Sequence, residues 1–203
     1  MNYATEPVLI AQAGSSRYGY NTSTSDVDVM ILSTASSHYY NEPGTRNDSF
    51  FISIEDFRHI WAHPTLLGNI TGKCAGNDRV CAFLEVNRHG IVYAAPMSTM
   101  MLGLDCIASG ERFPYFSRIK TSLRTAMILS HMAAQAEDPF LLSDEEKAVL
   151  LRARTGDVPP EERVELYRRT ISPENINRLL KMPNHPTIKN ELFRLIEEEV
   201  KTM

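Results

Sequence analysis

The stretch GSSRYGYNTSTSDVDVMIL (14–32) limits the fold of this chain more than any other. A Gly14-Ser15 turn closes one apolar run, Val8-Leu9-Ile10. A second run, Val27, Val29, Ile31 and Leu32, opens with Asp26 and Asp28. Side chains in a strand repeat their direction every two residues, so Asp26 and Asp28 are expected on one face. Two carboxylates that close repel unless something positive lies between them. A hard divalent cation such as magnesium is the natural counter-charge.

The first half continues in β-branched and aromatic runs. Residues 8–13, 26–32, 49–54, 79–86 and 90–95 read as strands, the last two joined by a turn at Asn87-Arg88-His89-Gly90. A helix is expected over 55–69, with Phe57, Ile60, Trp61 and Leu67 on its apolar face and Pro64 kinking or shortening it. The polar segment 33–48 reads as a surface loop beside the aspartates. Met97, Met100 and Met101 read as adaptable core.

After Pro114 the pattern becomes helical. Ile119, Leu123, Met127, Ile128 and Met132 form a broad stripe at helical spacing. Ser143-Asp144-Glu145-Glu146 has the form of a capping box, with a helix expected to about Arg154. Further helices are expected over 161–171, after the cap Ser172-Pro173, and over 187–201. The expected architecture is therefore mixed α/β: a sheet flanked by helices over 1–113, then a helical region over 114–203 packed on it.

Composition narrows the partners. The chain has 203 residues, 43% hydrophobic and 23% charged, with a net charge of −4. These are ordinary values for a globular protein with its own core. A protein that grips long duplex nucleic acid by its backbone usually carries a basic excess, which is missing here. A small substrate, a short nucleic-acid end or a protein fits the charge better. No apolar stretch is long enough for a membrane span, and no secretory leader is evident, so a cytoplasmic setting is expected. Cys74, Cys81 and Cys106 are not at zinc-ligand spacing and read as reduced, partly buried thiols.

The ordered set Gly14-Ser15, Tyr18-Gly19, Asn21-Thr22, Ser25-Asp26 and Asp28 resembles the signature of the DNA polymerase beta superfamily of nucleotidyltransferases. It is similar in particular to the predicted nucleotidyltransferases found beside RNA-repair ligases and in phage genomes. DSFFISIEDF (48–57) resembles the acidic strand and helix that follow in that family, and GDVPPEERVELY and KMPNHPTIKNELFRLIEE resemble its helical region. His63-Pro64-Thr65 departs from the family's Asn-Pro, and the glutamate of the next turn is missing. The resemblance implies transfer of a nucleoside monophosphate from a nucleoside triphosphate to an acceptor hydroxyl, with magnesium or manganese. The acceptor is left open among an RNA end, a protein side chain and a small molecule. The rival expectation is an inactive nucleotide-binding or partner-binding module of the same fold.

The resemblance gives the residues roles. Asp26 and Asp28 are the expected metal ligands. Gly14 lets the backbone approach a phosphate, and Ser15 offers a hydroxyl to it. GSSRYG is not a P-loop, because no Gly-Lys-Ser/Thr follows. Asp48 and Glu85 compete for a third carboxylate, with Asp48 preferred. Arg17, Lys120 and, beside it, Arg118 and Arg124 suit a triphosphate by charge and geometry. Tyr18 and Tyr20 are expected to pack rather than to stack on a base. His59 and His63, four apart, lack the glutamate of a zinc-protease helix and read as surface histidines.

Overall fold

The strand that bears Asp28 lies in the middle of a sheet. The computed structural model describes residues 7–23, 25–41, 47–112 and 116–202. Its strands are β1 (Leu9–Gln12), β2 (Val27–Ser33), β3 (His38–Asn41), β4 (Asn47–Ser53) and β5 (Cys74–Gly76). They form one mixed sheet in the order β3-β4-β2-β1-β5. Only β2 and β4 run parallel; the other neighbours are antiparallel. The crossover between β2 and β4 passes through β3, which folds back as an edge strand.

Register decides what the sheet presents. Asp28, Met30 and Leu32 of β2 stand beside Asp48, Phe50 and Ile52 of β4. On the other side Met30 and Leu32 pair with Ala11 and Leu9 of β1. These residues share one face by the period of two. Leu9, Ala11, Met30 and Leu32 are buried there and form the floor of the core.

The helices are α1 (Gly14–Arg17), α2 (Ile54–Ile60), α3 (Pro64–Ile70), α4 (Asp78–Val86), α5 (Arg88–Val92), α6 (Pro96–Arg112), α7 (Phe116–Ala133), α8 (Asp144–Thr155), α9 (Pro160–Thr170), α10 (Pro173–Lys181) and α11 (Pro186–Thr202). The stripe Ile119, Leu123, Met127, Ile128 and Met132 of α7 is buried. It packs against α6, α8, α9 and α10. The Ser143–Glu146 capping box is formed in both directions, and Gly156, in the left-handed region at φ 84°, ends α8. Ser172 caps α10. Buried residues from Val8 to Ile196 belong to one hydrophobic cluster.

Several expectations fail. The runs 79–86 and 90–95 are not strands. Asn77 accepts from the amides of Arg79 and Val80 at 3.0 and 3.2 Å and starts α4. Val80 and Leu84, four apart, are the residues α4 buries, so the operative period is helical. Asn87 ends α4 on the Phe83 carbonyl instead of turning a hairpin. The helix expected over 55–69 is two helices, because His63 and Pro64 restart the chain as cap and first residue of α3. Phe57, Trp61 and Leu67 are buried as expected, whereas Ile60 is exposed. Segment 33–48 contains β3, although 42–46 lie outside the described residues. The expected boundary at 113/114 also lies outside them, as do residues 1–6. Of the methionine group, Met100 is buried, but Met97 and Met101 are 48% and 59% exposed on α6. Among the described residues no helix is long and apolar enough to cross a membrane.

Candidate functional site

A cavity of about 450 Å³ opens over the β2–β4 face, walled by α3 and α7. Asp26, Asp28 and Asp48 line it from the sheet side, with Ala13 and Gly14 from the end of β1. Lys120, Thr121 and Arg124 line it from α7, and Thr65, Leu66 and Asn69 from α3. Met30, Phe50 and Ile52 supply the apolar floor.

The position of Asp28 explains Gly14. Gly14 sits at φ 61°, where L side chains are strained, at the start of the single-turn α1. A Cβ built on it would lie 1.5 Å from Oδ2 of Asp28. The backbone and the carboxylate thus approach as closely as the absence of a side chain allows. Ser15 is buried and does not line the cavity. Its carbonyl accepts from the amides of Tyr18 and Tyr20 at 3.3 and 3.2 Å and closes the loop that follows.

Asp28 and Asp48 are register partners, so their carboxylates stand side by side. Burial holds the Asp28 carboxyl above its ordinary pKa, and Asp48 and Asp26 push it further; Lys120 and Arg124 oppose them. Asp48 is itself oriented by β3, since Asn41 Nδ2 donates to its Oδ1 at 2.6 Å. Glu85, the other candidate, is exposed on α4 and lines a different hollow, with Cys74, Cys81 and Arg88.

The cations are arranged unequally. Lys120 is held below its ordinary pKa by burial and by Arg124 and Arg154, against the pull of Asp28 and Asp26. Arg124 is 4% exposed. Its guanidinium lies 4.3 Å from the Tyr18 ring centroid and donates to Tyr20 Oη at 2.9 Å. Tyr18 and Tyr20 are therefore packing residues that fix Arg124. Arg154 reaches from α8 to donate to Ser25 Oγ at 2.8 Å, which anchors the loop just before Asp26. Arg17 does not join them: its Nε donates to the Gly68 carbonyl, and its guanidinium lies 5.4 Å from the Phe140 ring centroid. Arg118 donates to Ser109 Oγ at 3.3 Å, away from the cavity.

Two buried side-chain atoms among the described residues have no hydrogen-bond partner, Nε of Arg124 and Oδ1 of Asn69. Both residues line this cavity. Buried polar atoms are normally paired, so the cavity wall carries one donor and one acceptor with unused capacity.

The two histidines separate. His59 is exposed. His63 is half-buried and caps α3, its Nδ1 accepting from the Thr65 amide at 3.2 Å. Burial, with Arg124 nearby, lowers it to about 4, although Asp105 pulls the other way. It is a neutral structural cap, not a surface histidine. Cys74, Cys81 and Cys106 are free and half-buried.

The cavity brings together Gly14, Asp26, Asp28, Asp48 and Lys120, and leaves out Ser15 and Arg17. Thr121 and Arg124 share one α7 face with Lys120, a signal present in their helical spacing. Asn69 and Thr65 carry no sequence signal; the folding of α3 over the sheet brings them in. The donor set is hard oxygen on crowded carboxylates, which suits a divalent ion. Among the described residues, however, no three His, Cys, Asp or Glu side chains are placed to hold a metal ion together, so Asp26, Asp28 and Asp48 do not form a three-carboxylate site. Comparison with protein-family models and with curated proteins finds no match.

Proposed function

We propose that the chain is a magnesium-dependent nucleotidyltransferase with the sheet-and-helix core of the DNA polymerase beta superfamily. The observation that carries the reading is the Asp28–Asp48 register pair, with Asp26 beside it and Gly14 pressed against Asp28. Magnesium commonly binds through one or two carboxylates plus substrate phosphates, keeping several waters, so an open acidic pair suits it better than a cage. Asp26 and Asp28 would hold the ion, whose chemistry is to neutralise phosphate charge and acidify the acceptor hydroxyl.

The chain's own groups do the rest. Lys120 and Arg124 offset the negative charge of the triphosphate, and Gly14 leaves room for the Asp28 carboxylate beside the backbone. The acceptor oxygen bonds to the α-phosphorus while the bond to the bridging oxygen breaks. Pyrophosphate leaves, and the hydroxyl proton passes to a carboxylate, for which Asp48 is placed and oriented. The place of Asp48 beside Asp28 weighs against an inactive binding module.

The test is incubation with magnesium and α-labelled nucleoside triphosphates against RNA, protein and small hydroxyl acceptors. Label is expected on one acceptor class, with loss in the double variant Asp26→Ala, Asp28→Ala. Nucleotide binding without transfer, unaltered in that variant, would overturn the proposal.

A further inference from the structure

Two exposed aromatic rings flank the third carboxylate. Tyr39 of β3 and Phe50 of β4 are register partners on the face that bears Asp48. Their ring centroids lie 5.0 Å apart, with planes inclined by 57°. Cross-strand aromatic pairs stabilise a sheet by packing on each other. These two residues remain 53% and 41% exposed, and Phe50 also lines the cavity. The pair is tied to the site, because Phe50 lies two residues along β4 from Asp48 on the same face, and the nearness of Asp48 raises the pKa of Tyr39.

The polarity of the site assigns this platform to one substrate. Around Asp26 and Asp28 the neighbours are cationic: Lys120, Arg124, and Arg154 through Ser25. Around Asp48, apart from Asp28 itself, they are neutral, namely Asn41, Tyr39 and Phe50. Across the sheet, Gly14 follows β1 while the rings lie on β4 and β3, beyond Asp28. Phosphates therefore belong on the Gly14 side and an uncharged planar group on the Asp48 side. Along a strand, Phe50 is two residues from Asp48, about 6.6 Å. That is roughly the span from the middle of a nucleobase to a ribose hydroxyl.

We propose that Tyr39 and Phe50 form a stacking subsite for the terminal nucleobase of the acceptor, which is the end of a single-stranded nucleic acid. The inference rests on the nucleotidyltransferase reading and names its acceptor. A platform two rings wide takes one base, in keeping with a chain that lacks the basic excess needed to grip a long duplex.

The test is anisotropy of a 5′-labelled single-stranded RNA tetramer, which needs no turnover. Calorimetry with a magnesium–nucleoside triphosphate runs in parallel. Phe50→Ala is expected to weaken the tetramer on the order of tenfold or more, the usual effect of losing one stacked base. Phe50→Trp restores it. Tyr39→Phe keeps the ring and the binding. Triphosphate affinity falls clearly less than tetramer affinity in Phe50→Ala and stays within about twofold in Tyr39→Phe. A parallel fall in triphosphate affinity would move the platform to the donor nucleotide and overturn the proposal. Unchanged tetramer affinity in Phe50→Ala would reduce the rings to a strand-pairing contact. A wild-type protein that binds a tyrosine-containing peptide but not the tetramer would also overturn it. Tetramer binding with no transfer of label would sink only the transfer reading.

Discussion

The helical periphery and the cavity use charge in opposite ways. From α8 onward, charged groups find partners: Arg152 with Glu162, Arg163 with Glu111, Arg178 with Glu174, and Arg194 with Glu198. Glu199, buried on α11, joins Arg79 and Asn77 at the start of α4. Around the cavity, no ion pair among the described residues includes Asp26, Asp28, Asp48, Lys120 or Arg124. Instead the carboxylates crowd one another and the cations do the same. Paired charges hold helices in place. Like charges held together cost stability unless an opposite charge joins them.

The contrast breaks most sharply at the carboxylates. Asp26→Ala with Asp28→Ala should lower transfer by at least about a thousandfold, the scale of losing charge stabilisation in a transfer site, while the thermal midpoint does not fall. Radiolabel transfer and calorimetry check the two halves.

Gly14→Ala should damage both activity and fold. The added methyl meets Asp28, and the backbone keeps a positive φ. A cost of about 2–4 kcal/mol in urea unfolding is expected from overpacking plus strain. A neutral result would mean that Gly14 and Asp28 do not touch.

His63 gives a pH test. Its folded-state pKa of about 4 lies below the usual 6.5 of histidine. Between those values the unfolded chain binds more protons, so stability is full above pH 6.5 and falls as the pH drops towards 4. The loss is of the order of 2 kcal/mol after allowance for the ring's partial exposure. His63→Asn keeps a capping acceptor and should flatten that limb. His131 on α7 runs the other way. Its bond to Glu146 holds it above the usual value, so its contribution is present below pH 6.5 and is lost as pH rises through the folded pKa.

Asp28→Asn should stabilise the protein when divalent ions are absent. The raised pKa of Asp28 means that its ionisation, as pH climbs above the ordinary carboxylate range, weakens the fold. Removing that charge should lift the midpoint by roughly 2–4 °C, the effect of about 1 kcal/mol in a chain of this size. In the periphery, Arg178→Ala breaks an exposed pair and should cost about 0.5 kcal/mol or less. A larger loss there than at Gly14 would invert the comparison.

The parts legible in the sequence are those with a strong local signal. Asp28 of β2 with Asp26 just before the strand, the α7 stripe, and the caps at Ser143 and Ser172 each combine a period with a turn or capping residue. Structure and sequence pattern part where tertiary context decides. Arg79–Val86 is rich in strand formers, yet the Asn77 cap and the burial of Val80 and Leu84 make it a helix. β3 is exposed along its whole length and so shows no apolar alternation. β5 is three residues long. In the site, Gly14, Asp26 and Asp28 are close in sequence, and Asp48 follows from the strand next to them. Arg17 has the right charge but is spent on the Gly68 carbonyl. Asn69 and Phe50 enter only through the packing of α3 and the β2–β4 register.

The most direct test of the central claim is calorimetric titration with a non-hydrolysable α,β-methylene nucleoside triphosphate, with and without magnesium. The wild-type protein should bind at least tenfold more tightly with magnesium, and Asp28→Asn should lose that dependence. Binding that is indifferent to magnesium in the wild-type protein, or magnesium-dependent binding that survives Asp28→Asn unchanged, would contradict the claim that these carboxylates and the α7 cations form one nucleotide-and-metal site.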